Sequence, residues 1–493
     1  MAFCYQLLIA VHQPPIANHL SPFTFHIFMP SAASQFNTDA TRTVADLGQR
    51  EMIQRSLSGY QKTRSSNADR FQDWESARGR AAAIKDEAIS QLDQYLIQFE
   101  EKLVARGVKV FWANDSVEAR GYILDLARTK QAKSIVKSKT MVSEEIHLNE
   151  ALEEAGFHVV ESDLGEFIVQ LRREPPYHIV FPAMHLTRGQ ISDLFQQKLG
   201  TRPTADPEEL TMTARKALRQ EYLSADIGIT GANFAVAETG MISITENEGN
   251  ARLTCALPKT HVVLLGIEKV VPRLADLSLL LPMLATAGTG QQITCYNSLI
   301  GGPRSADELD GPEEMHVVLL DNSRTRLLAD AEQRDALRCI RCGACLNVCP
   351  IFRNVGGHAY GTTYQGPIGS VITPHLRGLQ SWQHLSQASS LCGACTETCP
   401  VKIDLHHHLL QNRRNAVAEK GSLFQRLGFK AFALVVNRPS WFGIATRAMK
   451  FFAPLQRIFN ATPADPVWPW TKSRELPSFA RRSFRDLWKE RTP

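Results

Sequence analysis

The chain has 493 residues, 44% of them hydrophobic and 21% charged, with a formal net charge of +5. That composition excludes a disordered or collagen-like chain, predicts two or three domains with a sizeable core, and is too weakly basic to argue for a nucleic-acid partner. No stretch offers the roughly 18–20 uninterrupted apolar residues of a membrane-spanning helix.

In chain order, the first segment is apolar but unlike a secretory signal. Its first basic residue is Arg42, and Pro14, Pro15 and Pro22 interrupt it. The expectation is that translation starts at Met29, with residues 1–28 an untranslated or disordered leader. Residues 41–68 are polar and without clear period, so 1–68 forms a leader and polar N-terminal segment. From Asp69 to Arg106 a helical period sets in, carried by Ile84, Ala88, Leu92, Tyr95, Leu96 and Phe99 and ended by Gly107. Strand VKVFWAN (108–114), helix 116–131, strand SIVKSK (134–139), helix 143–155 and strand FHVVES (157–162) follow, an alternation that predicts a parallel sheet covered by helices. Further strands are expected at 165–171, 178–182, 226–230, 240–246, 252–258, 261–268 and 315–321, with amphipathic helices near 187–198 and 207–223. This α/β unit, with a mainly parallel or mixed sheet, spans 69–325. A cysteine-rich helical module occupies 326–410. Residues 411–493 form a basic, aromatic-rich tail, mostly helical or irregular, in which PADPVWPW (463–470) excludes a regular helix or central strand.

Seven of the ten cysteines lie within 339–399, in CIRCGACLNVCP (339–350) and SSLCGACTETCP (389–400). The close spacing points to metal ligation rather than disulfides, and to a reducing compartment. C-x2-C-x2-C-x3-C-P is the bacterial ferredoxin run for a [4Fe–4S] cluster, in which the fourth cysteine ligates the other cluster. Crossed in this way, cluster one takes Cys339, Cys342, Cys345 and Cys399. Cluster two takes Cys349, Cys392 and Cys395, and has Ser389 where a fourth cysteine would stand. Zinc needs neither the third in-phase cysteine nor the Cys-Pro pair, and is disfavoured. The long segment between the motifs, including GGHAYGTTYQGPIGS (356–370), is expected to cross near the clusters. Cys255 and Cys295 are expected to be buried and inert, and His406, His407 and His408 to form a solvated or partly packed helix face.

On these motifs the sequence resembles a known family. DLGEF (163–167), HIVFPAMHLTR (178–188), GANFAVAETGMISITENEGNARL (231–253) and PKTHVVLLGIEKVVP (258–272) are similar to the lactate-utilisation (LUD) domain. Together with GPEEMHVVLLDNSR (311–324) and the cysteine motifs, they resemble the iron–sulfur (B-type) subunits of three-protein L-lactate dehydrogenase complexes, whose seven-cysteine pattern includes the serine. The resemblance runs from about Asp69 to Leu410 and extends to the basic tail. It implies two [4Fe–4S] clusters, the second with three cysteine ligands, partners of the A and C types, an electron acceptor, and a complex that oxidises L-lactate to pyruvate and supports growth on lactate. It implies a component that is not catalytic alone, in the cytoplasm, with peripheral contact at the inner face of the membrane as an open alternative. Three other readings stay open: an electron-transfer subunit for another 2-hydroxy acid such as glycolate, a LUD domain that is itself an active site oxidising a 2-hydroxy acid, and a redox-sensing iron–sulfur scaffold.

No FAD or NAD fingerprint is present. Gly288 and Gly290 lack a third glycine, because Ile293 occupies its place, and GITGANF (228–234) has the wrong spacing. Asn247, Asn250 and Arg252 form a candidate anion site, with a pair of structural turns as the alternative. His185 and His261 read as core or loop histidines. The tail reads as a solvated extension, a partner-docking surface or a membrane-adsorbing one, with docking preferred.

Overall fold

The computed structural model describes residues 31–459, 468–471 and 482–491. The expectations for residues 1–28 and most of 463–470 fall outside these residues.

The described residues form ten strands: β1 (Lys109–Ala113), β2 (Ser134–Lys137), β3 (His158–Glu161), β4 (Ile227–Thr230), β5 (Phe234–Val236), β6 (Met241–Glu246), β7 (Thr260–Gly266), β8 (Val270–Val271), β9 (Tyr296–Ile300) and β10 (Glu314–Leu320). Six make one sheet in the order β1-β10-β7-β4-β2-β3, with every pair parallel. Helices cover both faces, so the central strands are apolar throughout. In β7, Val263 and Leu265 point into one core and Val262 and Leu264 into the other, and β10 divides Val317 and Leu319 from Val318 and Leu320 in the same way. A smaller mixed sheet, β8-β5-β6-β9, sits beyond the carboxyl end of β4 in the chain. The expected α/β class, the helical cysteine module and the helical C-terminal part are all present.

Three expected strands are not strands. Residues 165–171 lie in the helix Leu164–Arg172, because the Asp163 side chain accepts from Glu166 N at 3.1 Å and caps it. Residues 252–258 fall largely in the helix Asn250–Ala256, whose first amides Ala251 N and Arg252 N donate to Glu246 at 2.6 and 2.9 Å. At 178–182 the His178 ring nitrogen Nδ1 accepts from Val180 N and Phe181 N, which bends the chain out of any ladder. The helix expected over Asp69–Arg106 is two, Trp74–Ser90 and Leu92–Val104, broken at Gln91.

The segment without a clear period holds two helices, Ala32–Ala45 and Leu47–Ala68, capped by Ser31 and Asp46. Their buried apolar contacts, Phe36, Ile53 and Leu57, are too sparse to register as a period, yet they join the core of the cysteine module. The described residues up to Ala416 form one compact unit and those from Val417 a second. The boundary expected at 410 lies inside the helix Leu405–Lys420. The second unit contains the helices Leu423–Val436 and Pro439–Phe459. Among the described residues no helix is long and apolar enough to cross a membrane.

Candidate functional site

Both cysteine motifs fold alike. Gly343 (φ +77°) and Gly393 (φ +81°) turn the chain into short helices, Ala344–Val348 and Ala394–Thr398, which pack on each other. Each helix stops at an extended cysteine, Cys349 or Cys399, followed by proline. The pairing of the two helices mixes the motifs. Cys339, Cys342, Cys345 and Cys399 line one small cavity of about 20 Å³, walled by Ile179, Ile340, Ile368 and Ile403, and the other three motif cysteines are not part of its lining. The nearest charges follow the same grouping for Cys342 and Cys395, although Cys395 also acts on Cys345. After burial, the thiols acting on Cys342 are Cys339 and Cys399, whereas those acting on Cys395 are Cys349 and Cys392.

Burial pushes Cys342 and Cys395 up to about 12 and Cys399 up to about 11. Thiols this desolvated ionise only against a compensating positive charge, which iron provides. Backbone amides already face the sulfurs: Arg341 N and Ile403 N each lie 3.4 Å from Sγ of Cys339 and Cys399. The donor set therefore fits an iron–sulfur cluster. On the other side Cys349 is half-buried and Cys392 exposed, and Ser389 Oγ accepts from Leu391 N at 3.1 Å.

The N-terminal helices brace this region, a role not legible in their sequence. Arg78 Nε donates to Cys399 O at 2.8 Å and its Nη2 to Thr396 O at 3.2 Å, while Arg64 Nη2 donates to Thr398 O at 3.0 Å. The glycine-rich insert is packed against protein backbone. A Cβ on Gly357 would meet Tyr177 O at 1.6 Å, and one on Gly369 would meet Tyr364 O at 1.8 Å.

Beside Cys342 lies a second, larger cavity of about 370 Å³. It opens at the carboxyl ends of the parallel strands, where ligands bind in sheets of this kind. Ser138, Lys139 and Thr140 follow β2, Asp163 follows β3, Gly231, Ala232 and Asn233 follow β4, and Lys269 follows β7, with Arg341 and Cys342 closing it from the cysteine module. A buried ionic network supports that wall. Arg324, just after β10, is bidentate on Glu145 (2.9 and 2.8 Å) and donates from Nε to Glu268 at 2.5 Å. Glu268 also accepts from Arg341 at 3.2 Å, and Tyr364 donates to Glu145 at 2.6 Å. Despite complete burial, these guanidinium groups hold the Glu268 carboxyl down at about 2. Burial next to Arg341 draws Lys269 down to about 8.

Of the anion-site residues expected from sequence, Asn247 and Asn250 line this cavity and Arg252 does not. The Arg252 guanidinium lies 4.9 Å over the Tyr296 ring. Asn247 exchanges hydrogen bonds with Gln291 at 3.1 Å. Sequence reasoning missed Lys139, Lys269 and Arg341, each set in a loop whose neighbours come from distant strands. His185 and His261 are buried, paired with Glu174 (2.8 Å) and Thr230 (2.8 Å). Cys255 is buried as expected. Cys295, expected to be buried, is exposed, because it precedes β9 at the edge of the small sheet. Of the three consecutive histidines, His406 and His407 lie together with ring centroids 4.1 Å apart beside Asp404, and His408 is buried against Asp335 at 2.6 Å.

Comparison with known proteins matches residues 96–320 to the LUD domain, 335–403 to a 4Fe-4S dicluster domain and 405–492 to the C-terminal domain of lactate utilisation protein B. Lactate utilization protein B of Bacillus velezensis is 45% identical over 90% of this chain and 94% of its own length. The chain belongs to the lactate utilization protein B family. The Geobacillus kaustophilus protein of that name is 47% identical over 85% of this chain and 89% of its own, and the Bacillus thuringiensis one 42% identical over 94% and 98%. A crystal structure of a DUF162 family protein from Deinococcus radiodurans spans 47% of this chain and 98% of its own at 14% identity, with a TM-score of 0.26. The family places a 4Fe-4S dicluster region directly after the LUD domain, and in this chain the two pack into a single compact unit.

Proposed function

We propose that this chain is the iron–sulfur electron-transfer subunit of a complex that oxidises L-lactate to pyruvate. The observation that carries the reading is the interleaving of the two motifs, with Cys399 beside Cys339, Cys342 and Cys345 around one cavity. Crossed ligation of that kind belongs to two-cluster ferredoxins, whose function is to pass electrons. The names of the relatives supply lactate. In this reading Cys339, Cys342, Cys345 and Cys399 hold one [4Fe–4S] cluster, and Cys349, Cys392 and Cys395 hold the other. Bound clusters supply one-electron transfer. The residues of the chain fix the distance between the two sites through the paired helices, exclude water from Cys342, Cys345 and Cys399, and leave Cys392 at the surface facing a redox partner.

The working division is the LUD part (69–325), the cluster module (326–410) and a C-terminal part (411–493) that docks the A-type and C-type partners on the cytoplasmic side of the membrane. Exposed Phe424, Phe429, Phe432 and Trp441 support docking. Truncation after Lys420, where the helix Leu405–Lys420 ends, should keep both clusters and abolish co-purification with the partners. The decisive test of the whole reading is a deletion strain. It should fail to grow on L-lactate, and complementation should restore growth. Unimpaired growth on L-lactate with a defect on glycolate would transfer the function to that acid, and no growth defect on either would favour a redox-sensing scaffold.

A further inference from the structure

We propose that the cavity at the carboxyl ends of β2, β3, β4 and β7 binds a small monocarboxylic acid bearing a hydroxyl group, with Lys139, Lys269 and Arg341 as its anion-binding residues. The inference deepens the proposed function, on which it rests for the acid chosen as probe, by placing a substrate-class ligand in this chain beside Cys342.

Four observations support it. First, the position is the one where open parallel sheets bind ligands, and a volume of about 370 Å³ is within the range of small-molecule sites. Second, the cations are under-used by the protein. Lys139 Nζ is buried without a hydrogen bond, its carboxylate neighbour Glu166 standing 3.6 Å away. Arg341 spends one nitrogen on Glu268 and leaves Nε and Nη1 buried without a hydrogen bond, its guanidinium lying 4.7 Å over the Tyr364 ring. Lys269 is 7% exposed and shares its surroundings with Arg341 and Glu268. Buried donors left unpaired are costly, and an entering carboxylate would satisfy them. Third, the cavity has two ends. Lys269 and Arg341 act on each other beside the cysteines, whereas Asp163, Glu246 and Glu248 act on one another at the other end, where Lys139 also acts on Glu248. A monoanion with a hydroxyl matches both ends, whereas a phosphate dianion would meet the acidic one. Fourth, glycine lets two strand-end loops of the wall meet closely, which fixes its shape. A Cβ on Gly231 would strike Thr140 Oγ1 at 2.4 Å, in a strand-end loop that lines the cavity.

These cations have one competing role, which is to offset the charge of a cluster on Cys342 and its neighbours. The experiment separates the two. Full-length protein, purified anaerobically with its clusters, is titrated calorimetrically with L-lactate, propionate and inorganic phosphate, and its iron content and reduced EPR spectrum are recorded with and without L-lactate. The expected result is saturable binding of L-lactate, tighter than propionate or phosphate, with a shift in the EPR signal that Cys399→Ser alters. Lys139→Met and Lys269→Met should each weaken L-lactate at least tenfold with iron content unchanged. Glu248→Gln, a milder change, should bring L-lactate down towards propionate. No binding by the parent protein, a preference for phosphate, binding unaffected by both lysine variants, or iron loss in both of them would overturn the proposal. Failure here with a lactate growth defect intact sinks only the site. Binding here without any growth defect sinks only the proposed function.

Discussion

The two groups of cysteines come from nearly identical motifs but sit in different surroundings. Cys342, Cys345 and Cys399 are buried, Arg78 holds the Cys399 carbonyl, and Arg341 ties the intervening loop to Glu268 and through it to Arg324. In the other group Cys395 is buried and Cys349 half-buried, as Cys339 is in the first, and the difference lies in Cys392, which is exposed where its counterpart Cys342 is buried. The comparison teaches that motif identity does not set environment. The first loop inserts into the end of the LUD sheet, while the second turns outward, and this makes an insulated site and an accessible one from the same twelve-residue pattern.

The largest expected effect breaks the grouping itself. Cys399→Ser should abolish or alter the same EPR signal as Cys339→Ser, and leave the signal that Cys392→Ser alters. If Cys399→Ser instead tracks Cys392→Ser, the crossed assignment is wrong. Next comes the brace of the insulated side. Arg324→Met leaves Glu145 and Glu268 buried without their main partner, and should cost about 3–5 kcal/mol in unfolding free energy. Chemical denaturation under anaerobic conditions measures it, and a loss under about 1 kcal/mol would mean the network carries little of the interface.

The paired glycines sharpen the comparison at smaller scale. Gly343 and Gly393 share a positive φ, so either change to alanine should cost about 1–2 kcal/mol from backbone strain. A Cβ at 343 would also meet Val180 at 2.9 Å and His178 at 3.1 Å, whereas one at 393 meets nothing within 4 Å. Gly343→Ala should therefore lose about 1–3 kcal/mol more than Gly393→Ala in the same denaturation experiment. Equal losses would show that the first loop is not crowded after all. The smallest effect concerns Ser389. An incomplete thiolate set leaves one iron less protected, so air exposure should generate a three-iron EPR signal from the accessible site, and Ser389→Cys should reduce that signal without changing stability. Equal durability of both sites in the parent protein would remove the distinction.

By itself the sequence determined the seven cysteine positions, the strand–helix alternation of the LUD part and the family, because ligand spacing and apolar periodicity are local and survive without tertiary context. Strands β1, β2, β3, β4, β6, β7 and β10 were legible in this way. The helix at Leu164–Arg172 was not, because its apolar run resembles a buried strand and only the Asp163 cap distinguishes it. The helix at Asn250–Ala256 was hidden because its cap, Glu246, lies at the end of the preceding strand. Asn247 and Asn250 were found from loop composition, but the charges that share their cavity were not. Tertiary structure alone decided that Lys139, Lys269 and Arg341 line one cavity. They are separated by more than a hundred residues in the chain on one side and by about seventy on the other, and the parallel crossover topology collects strand ends from all along the sequence at one edge of the sheet. The sparse apolar positions of residues 31–68 gained meaning for the same reason. Phe36, Ile53 and Leu57 are too few to reveal a helix by period, and only the surface of the cysteine module completes the core that buries them.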